Sequence, residues 1–168
     1  EPTSFEKGLR AFSDHRYSKS IDHFNEALRG SLPDSLRALA SLRIFESYLK
    51  RNRPDNARQV AAQRQRDDGQ YYLLWGEWYF GQDNYKRAEE LFAQAQSVPS
   101  RYNPDIKRDA VFFWATTRYK LYTKKPNMQN RDAAVRALKR FKNTYCTQVP
   151  ISSRCTTADE ILSGLTAE

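Results

Sequence analysis

Two cysteines are the side chains of this sequence with the most definite chemistry. Cys146 and Cys155 lie nine residues apart in CTQVPISSRC, and Pro150 between them favours a turn. Such a turn can bring the two Cα atoms to the roughly 5.5 Å separation that a disulfide requires. A structural zinc site would need two further ligands nearby, and the sequence offers none. We therefore expect a disulfide that staples this loop, with two free buried thiols as the alternative.

A disulfide would also indicate where the protein works. Disulfides persist outside the reducing cytoplasm, which favours a bacterial periplasm or an equivalent space. The first residues, EPTSFEKGLRAF, lack the basic and apolar regions of a signal peptide. No stretch approaches the roughly 20 apolar residues that cross a bilayer. We expect an extracytoplasmic chain with no membrane span of its own.

The remaining reactive side chains do not form a catalytic or metal-binding pattern. His15 and His23 are eight residues apart, two helical turns, which is too far to share one metal ion. The chain contains no glycine-rich phosphate loop, no His-Glu-x-x-His and no serine elbow. The carboxylate pair Glu89–Glu90 stands near basic residues and fits a solvated helix face. We expect no enzyme activity, no metal and no cofactor.

The elements that carry these residues are helical. Proline recurs between segments in which apolar residues are spaced three and four apart, as on one face of a helix. Strand-like alternation and hairpin turn signals are missing, and DDGQ at 67–70 is typical of a helix junction. The pattern predicts an all-α chain of about eight helices of ten to sixteen residues in antiparallel pairs. A length of 168 residues suits a single domain.

Two segments repeat each other at an offset of 68 residues. GLRAFSDHRYSKSIDHFNEAL begins at residue 8, and GEWYFGQDNYKRAEELFAQAQ begins at residue 76. Because 68 is twice 34, the offset matches two units of a known helix–turn–helix repeat. Five pairs of identical residues coincide: Gly8 with Gly76, Phe12 with Phe80, Tyr17 with Tyr85, Phe24 with Phe92, and Ala27 with Ala95.

In these positions the sequence resembles the tetratricopeptide repeat (TPR) family, whose unit is a 34-residue helix–turn–helix. Repeat 1–34 keeps the family's glycine but has Ser20 in place of the second-helix alanine. Repeat 36–68 is degenerate, with Phe45 at the glycine position, and 105–145 reads as a fourth pair. Repeat 69–102 matches best, through Tyr72, Trp75 in the leucine position, Gly76, Tyr79, Tyr85, Ala88, Phe92, Ala95 and, one place early, Pro99.

The resemblance implies a particular fold. Antiparallel helix pairs would stack into a short right-handed TPR-like α-solenoid that forms one domain over residues 1–168. The disulfide loop and a C-terminal capping helix would occupy 146–168. Small residues at Gly76 and Ala88 would let the two helices of one pair approach closely.

The resemblance also implies a ligand groove, which the first helix of each pair lines in this family. The groove would be apolar with scattered charge and would suit an extended peptide or a helix of a partner. Family members that grip chaperone tails carry Lys and Asn at groove positions, where this sequence has Leu9, Leu73 and Glu77, so that clamp is not expected. The twelve predicted groove residues are Phe5, Leu9, Phe12, Leu42, Glu46, Leu49, Leu73, Glu77, Phe80, Phe113, Thr117 and Lys120.

Positive charge is concentrated in one third of the chain. Residues 101–145 contain twelve Lys or Arg and three Asp, whereas the whole chain has a net charge of +8. Such a patch can indicate a nucleic-acid or other polyanionic partner, or a solvated helix face. The aromatic residues among these cations fall at core spacing, which leaves few rings for stacking on bases. The predicted basic patch is Arg108, Arg118, Lys124, Lys125, Arg136, Lys139, Arg140 and Lys142.

Seven aromatic residues crowd into YYLLWGEWYFGQDNY at 71–85. At about 100° per residue, most of these rings face other helices and only Phe80 points into the predicted groove. We therefore expect a non-catalytic interaction module that binds a partner peptide or helix, as part of a larger bacterial envelope or signalling protein. The alternatives are a nucleic-acid or polyanion binder using the 101–145 region, and a structural module that acts as a spacer or self-associates into a homodimer.

Overall fold

The protein is all-helical in a computed structural model that describes residues 1–148 and 151–167. No strand occurs in these residues, so the predicted all-α class is confirmed. The helices run from 8 to 19 residues, a wider range than predicted. The nine helices of the described residues are α1 Ser4–Ser13, α2 Tyr17–Arg29, α3 Asp34–Lys50, α4 Pro54–Ala61, α5 Gln70–Gly81, α6 Tyr85–Ala95, α7 Ile106–Lys124, α8 Met128–Tyr145 and α9 Ser153–Thr166.

The chain divides into two compact units, Glu1–Asp67 and Asp68–Glu168. The N-terminal unit holds α1 to α4, and the C-terminal unit holds α5 to α9. The single domain expected over 1–168 stays a prediction.

In the N-terminal unit each helix packs against the next one, and α3 also contacts α1. The core between them is apolar because α1, α2 and α4 each bury one amphipathic face, with residues three and four apart, while α3 is buried on more than one side. Phe24 is completely buried at its centre, and Phe5 and Ile44 close over it from the two sides.

The C-terminal unit follows the same packing order. Helices α5 and α6 form one pair, α7 and α8 form the next, and α7 contacts both helices of the first pair. Helix α9 then packs on α8, where Leu162 and Leu165 complete a core around Phe141. Adjacent helices therefore pack in pairs in both units, as predicted.

Three helix pairs share one turn geometry. The α1–α2, α3–α4 and α5–α6 connections are each three residues long. The middle residue of each has a positive φ: 59° at His15, 56° at Asn52 and 59° at Asp83. In each turn the following backbone N–H donates to a carbonyl five residues earlier, at 2.8 to 3.0 Å. Asn and Asp tolerate this left-handed conformation better than most residues, so the sequence favours a tight turn at two of the three sites.

Glycine brings the two helices of a pair close together in two of these pairs. A Cβ atom on Gly8 would lie 2.7 Å from the Phe24 ring, and a Cβ atom on Gly76 would lie 2.5 Å from the Phe92 ring. Both contacts are shorter than any ordinary carbon–carbon approach, so a residue larger than glycine would force the facing ring to move. The close helix crossing predicted at Gly76 is confirmed.

In the degenerate second helix pair, α3–α4, the large and the small residue at the helix crossing are exchanged. The shared turn aligns Phe45 of α3 with the two glycines and aligns Ala61 of α4 with the two phenylalanines. Phe45 is 0 % exposed and Ala61 is 1 % exposed. The large and small residues have thus changed places, which explains why the glycine motif is missing there although the helix pair remains.

Two close contacts fix the start of the C-terminal unit. A Cβ atom on Gly69 would lie 1.9 Å from the Val98 carbonyl oxygen, and the Gly69 N–H donates to the Pro99 carbonyl. The Asp68 carboxylate is buried and accepts hydrogen bonds from the backbone N–H groups of Gln70 at 2.9 Å and Arg101 at 3.0 Å. The predicted helix junction in DDGQ is confirmed, since α5 begins at Gln70.

The disulfide between Cys146 and Cys155 is confirmed, with Cα atoms 5.7 Å apart. It joins the end of α8 to the first turn of α9, and the alternative of two free thiols is wrong. Ser152 caps α9, because its hydroxyl oxygen accepts a hydrogen bond from the Cys155 N–H. The turn predicted at Pro150 lies outside the described residues.

Candidate functional site

An apolar cleft opens between α5 and α7 of the C-terminal unit. Its volume is about 360 Å³, at the lower end of the ~300–1,000 Å³ range of ligand-binding clefts. Phe92 of α6 is 1 % exposed and forms the floor. Four phenylalanines and three small or polar residues line it: Phe80, Phe92, Phe112 and Phe113, with Glu77, Gly81 and Thr116.

The floor and walls of the cleft are held in place by the core. The Phe92 ring lies between Gly76 of α5 and Phe113 of α7, whose ring centroid is 5.5 Å away. Phe112 packs on Phe141 of α8 at a centroid distance of 5.1 Å. The cleft walls are therefore preformed and do not depend on a bound ligand.

One end of the cleft continues into an aromatic and cationic surface. The Phe80 ring meets the Tyr85 ring edge to face at 5.1 Å, and the Lys124 ammonium lies 6.0 Å from the Tyr85 ring centroid. The Tyr85 hydroxyl donates a hydrogen bond to Asp83 at 2.9 Å. This hydrogen bond raises the pKa of Tyr85 above its usual value of 10.0, because it stabilises the protonated hydroxyl.

At the other end of the cleft, along α7, a cation of α9 packs on two of the lining phenylalanines. The Arg154 guanidinium lies over the rings of Phe112 and Phe113, 5.0 and 5.1 Å from their centroids. It donates to Asp109 of α7 at 2.5 Å, and the Asn103 amide donates to the other oxygen of that carboxylate at 3.0 Å. Since Arg154 precedes Cys155, the disulfide anchors the helix turn that carries it.

The structure brings three of the predicted groove residues of the C-terminal unit together in this cleft. Glu77, Phe80 and Phe113 line it. Leu73 is only 3 % exposed and packs in the core, so its side chain supports the wall without reaching the opening. Lys120 is exposed on α7, seven residues after Phe113.

Thr117 is completely buried, and its hydroxyl donates to the Phe113 carbonyl at 2.6 Å. Thr116 stands in the cleft in its place. One residue on a helix is a rotation of about 100°, which separates a lining position from a buried one.

Phe112, Gly81 and Thr116 line the cleft but are not among the predicted groove residues. Phe112 follows the same helical spacing as core residues, and its neighbour Phe113 was the expected groove member. The spacing of three from Phe113 to Thr116 is the signal that could have identified the threonine. Gly81 lies four residues after Glu77 on α5, and this helical spacing is the signal that could have identified the glycine.

The predicted groove residues of the N-terminal unit are less accessible. Leu42 is completely buried, and Phe5 and Leu49 are each 8 % exposed. Leu9, Phe12 and Glu46 are half-buried. The charged groups beside them already have partners within the unit. Arg43 lies 4.9 Å from the Phe12 ring centroid and pairs with Glu46 at 2.9 Å.

Three residues of the predicted basic patch form ion pairs with carboxylates of the same chain. Arg108 pairs with Asp105 at 3.0 Å, Arg118 pairs with Glu89 at 3.0 Å, and Lys142 pairs with Asp159. Arg140 is exposed, with its guanidinium 5.7 Å from the Trp114 ring centroid. The exposed patch residues that pair with no carboxylate among the described residues are Lys124, Lys125, Arg136, Lys139 and Arg140.

Two features are absent from the described residues and bear on other kinds of site. No group of three or more His, Cys, Asp or Glu side chains in residues 1–148 and 151–167 could hold a metal ion. Within the same ranges, none of the helices combines the length and the apolar character that crossing a membrane requires. Comparison with protein-family models, with curated proteins and with solved structures finds no match to this chain.

Proposed function

We propose that this chain is a non-catalytic interaction module whose cleft between α5 and α7 binds an apolar side chain of a partner peptide or helix. The cleft itself carries the proposal: four phenylalanines surround an opening of about 360 Å³ on a rigid helical support. Burying one large apolar side chain there would contribute about 1.5–3 kcal/mol. Such a contact acts as an anchor around which weaker contacts add specificity.

We propose further that the helix pairs are TPR-like repeats of a short solenoid. The three equivalent turns and the two glycine crossings at an offset of 68 residues support this reading. In such a solenoid the first helices of successive pairs line the ligand groove. The cleft lies between α5 and α7, which are the first helices of two successive pairs.

A location outside the cytoplasm, with the periplasm favoured, belongs to the same proposal. The Cys146–Cys155 bridge supports it, since disulfides are rare in reducing compartments. A role within a larger envelope or signalling protein is compatible with a binding module that carries no chemistry of its own.

The polyanion alternative has weaker support. Its exposed cations remain, but the aromatic residues among them pack into the cores: Phe112, Trp114, Tyr119 and Tyr122 all lie against the cluster between α7, α8 and α9. Binding to single strands relies on rings that are free to stack on bases. A fluorescein-labelled 20-mer of oligouridylate in low salt tests this function directly, because phosphate binding weakens steeply as salt is added.

The proposed function is tested by blocking the cleft without disturbing the fold. A Cβ atom on Gly81 meets nothing within 4 Å, so Gly81→Trp can fill the opening from its rim. Gly164 of α9 has equally open surroundings and does not line the cleft, so Gly164→Trp is the matched control. A random dodecapeptide display library is panned on the oxidised protein, and the selected peptides are measured by fluorescence anisotropy.

We expect selected peptides to contain a large apolar residue and to bind Gly81→Trp at least 10-fold more weakly, with unchanged binding to Gly164→Trp. Circular dichroism checks that both variants keep their helicity. If Gly81→Trp does not fold, Thr116→Trp on the opposite rim replaces it. Peptides that bind both tryptophan variants as well as the parent protein, or a selection without enrichment, would refute a role for the cleft.

A further inference from the structure

The charges around the cleft define the chemistry of its occupant. We infer that the partner segment carries one large apolar side chain and, about three to five residues away from it, carboxylates. This inference rests on the proposed function, because it assumes that the cleft holds the apolar side chain.

The first observation is that two lysines of α7 lie on the side of the helix that lines the cleft. Positions seven and eleven residues after Phe113 return to within about 20° of its direction on the helix. Lys120 and Lys124 occupy these positions, so both stand on the face of α7 that lines the cleft. At a rise of 1.5 Å per residue they lie about 10 and 16 Å beyond Phe113. An extended peptide covers these distances in about three to five residues, at roughly 3.3 Å per residue.

The second observation is that these two cations are available. Neither Lys120 nor Lys124 forms an ion pair with a carboxylate in the described part of the chain, and Lys120 and Lys124 are both exposed. Other cations of the same region differ: Arg118, for example, is held by Glu89. Lys124 lies over the Tyr85 ring, which in turn packs on Phe80 of the cleft wall. The surface is therefore continuous from the cleft wall to Lys124.

The third observation is the position of the acidic groups. Glu77 lines the opening itself, so the cleft already carries a carboxylate next to the position of the apolar side chain. At the opposite end, Arg154 already pairs with Asp109, so that cation offers less to a partner. The Asp83 carboxylate is engaged as the acceptor of the Tyr85 hydroxyl hydrogen bond. The charge pattern thus favours carboxylates at a distance from the anchor and on the Lys120–Lys124 side alone.

The test uses the same peptide selection, and the selected peptides are sequenced. Peptides that lose binding to Gly81→Trp are aligned on their largest apolar residue, and Asp and Glu are counted at each position relative to the unselected library. The double variant Lys120→Glu/Lys124→Glu then removes the proposed cations. Lys107→Glu/Lys139→Glu is the matched control, since both lysines are exposed, do not line the cleft and give the same change of net charge.

We expect enrichment of Asp and Glu three to five positions from the anchor on one side. Because exposed ion pairs are individually weak, reversing both cations should weaken binding about 10-fold at low salt. The control double variant should change it less than about 2-fold. The difference between the variants should shrink at 0.15 M salt, where the screening length is about 8 Å.

Several results would overturn the inference. Peptides that respond to Gly81→Trp but show no acidic enrichment would leave the proposed function intact and reject the acidic partner. An equal loss in both charge-reversed variants would show attraction to net charge alone and would reject it as well. Acidic peptides that ignore Gly81→Trp and are displaced by oligouridylate would indicate a polyanion surface, against both proposals.

Discussion

The glycine at position 76 provides the sharpest test of the packing that forms the cleft. Its Cβ position lies 2.5, 2.6 and 3.0 Å from three atoms of the Phe92 ring, whereas ordinary contacts begin near 3.4 Å. Gly76→Ala would therefore require the ring to move by roughly 1 Å, a displacement that overpacked cores resist. Phe92 is 1 % exposed and packs against Phe113, so a shift of the ring away from Gly76 presses on that second ring.

The magnitude follows from two opposing effects. Overpacking a core costs about 1–3 kcal/mol, and alanine gains about 1 kcal/mol over glycine as a helix former. The ring contact is backed by a second ring, so we place the overpacking cost at or slightly above the upper end of that range. We therefore expect Gly76→Ala to lower the free energy of unfolding by about 2 kcal/mol. With a slope of about 2 kcal/mol/M, the urea midpoint falls by about 1 M.

Tryptophan fluorescence in urea is the assay, because Trp75, Trp78 and Trp114 all lie in the C-terminal unit and the chain has three tryptophans. Gly164→Ala is the control, since its Cβ meets nothing within 4 Å and it should stabilise the protein by up to about 1 kcal/mol. The two variants thus shift the midpoint in opposite directions. A Gly76→Ala protein at least as stable as the parent would refute the close helix crossing and the rigid floor of the cleft.

Three further predictions concern the supports of the site. Replacing Cys146 and Cys155 by serine should lower the free energy of unfolding by up to about 3 kcal/mol, because the bridge closes a loop of about ten residues. Urea unfolding with and without reductant measures this loss. Identical unfolding curves with and without the bridge would contradict it. Asp68→Ala removes the acceptor of two backbone N–H groups and should cost about 2 kcal/mol, with a smaller loss in Asp68→Asn, in thermal and urea unfolding. Asp83→Asn should lower the pKa of Tyr85 toward 10.0, because the hydrogen bond to a carboxylate is lost. A ¹³C NMR titration of the tyrosine ring follows this shift, and an unchanged pKa would show that the hydrogen bond is absent in solution.

The helices and their pairing could be predicted from the sequence because both depend on local patterns. Apolar residues three and four apart define a buried helix face wherever the helix lies. The repeat at an offset of 68 residues adds the position of the helix crossing, since glycine opposite phenylalanine recurs at Gly8 and Gly76. The second pair escaped this motif because Phe45 and Ala61 have exchanged their sizes, a change that preserves the volume but not the pattern.

Groove positions were harder to predict, because they depend on which neighbour a helix meets. Leu42, Leu73 and Thr117 have suitable spacing for a groove yet are buried. A shift of one residue turns a side chain by about 100°, which separates Thr116 in the cleft from Thr117 in the core. The register of α7 against α5 is set by long-range packing of Phe92 and Phe113, which no local pattern encodes.

By itself the sequence determined the helical class, the pairing of adjacent helices, the cysteine pair and the concentration of positive charge in one third of the chain. These properties follow from residue types and spacing along one dimension. Tertiary structure alone decided that four phenylalanines enclose a cleft, that some cations are neutralised by ion pairs, and that Lys120 and Lys124 stay exposed beside it. Those outcomes require residues distant in sequence to meet, because burial and charge pairing are properties of the packed surface.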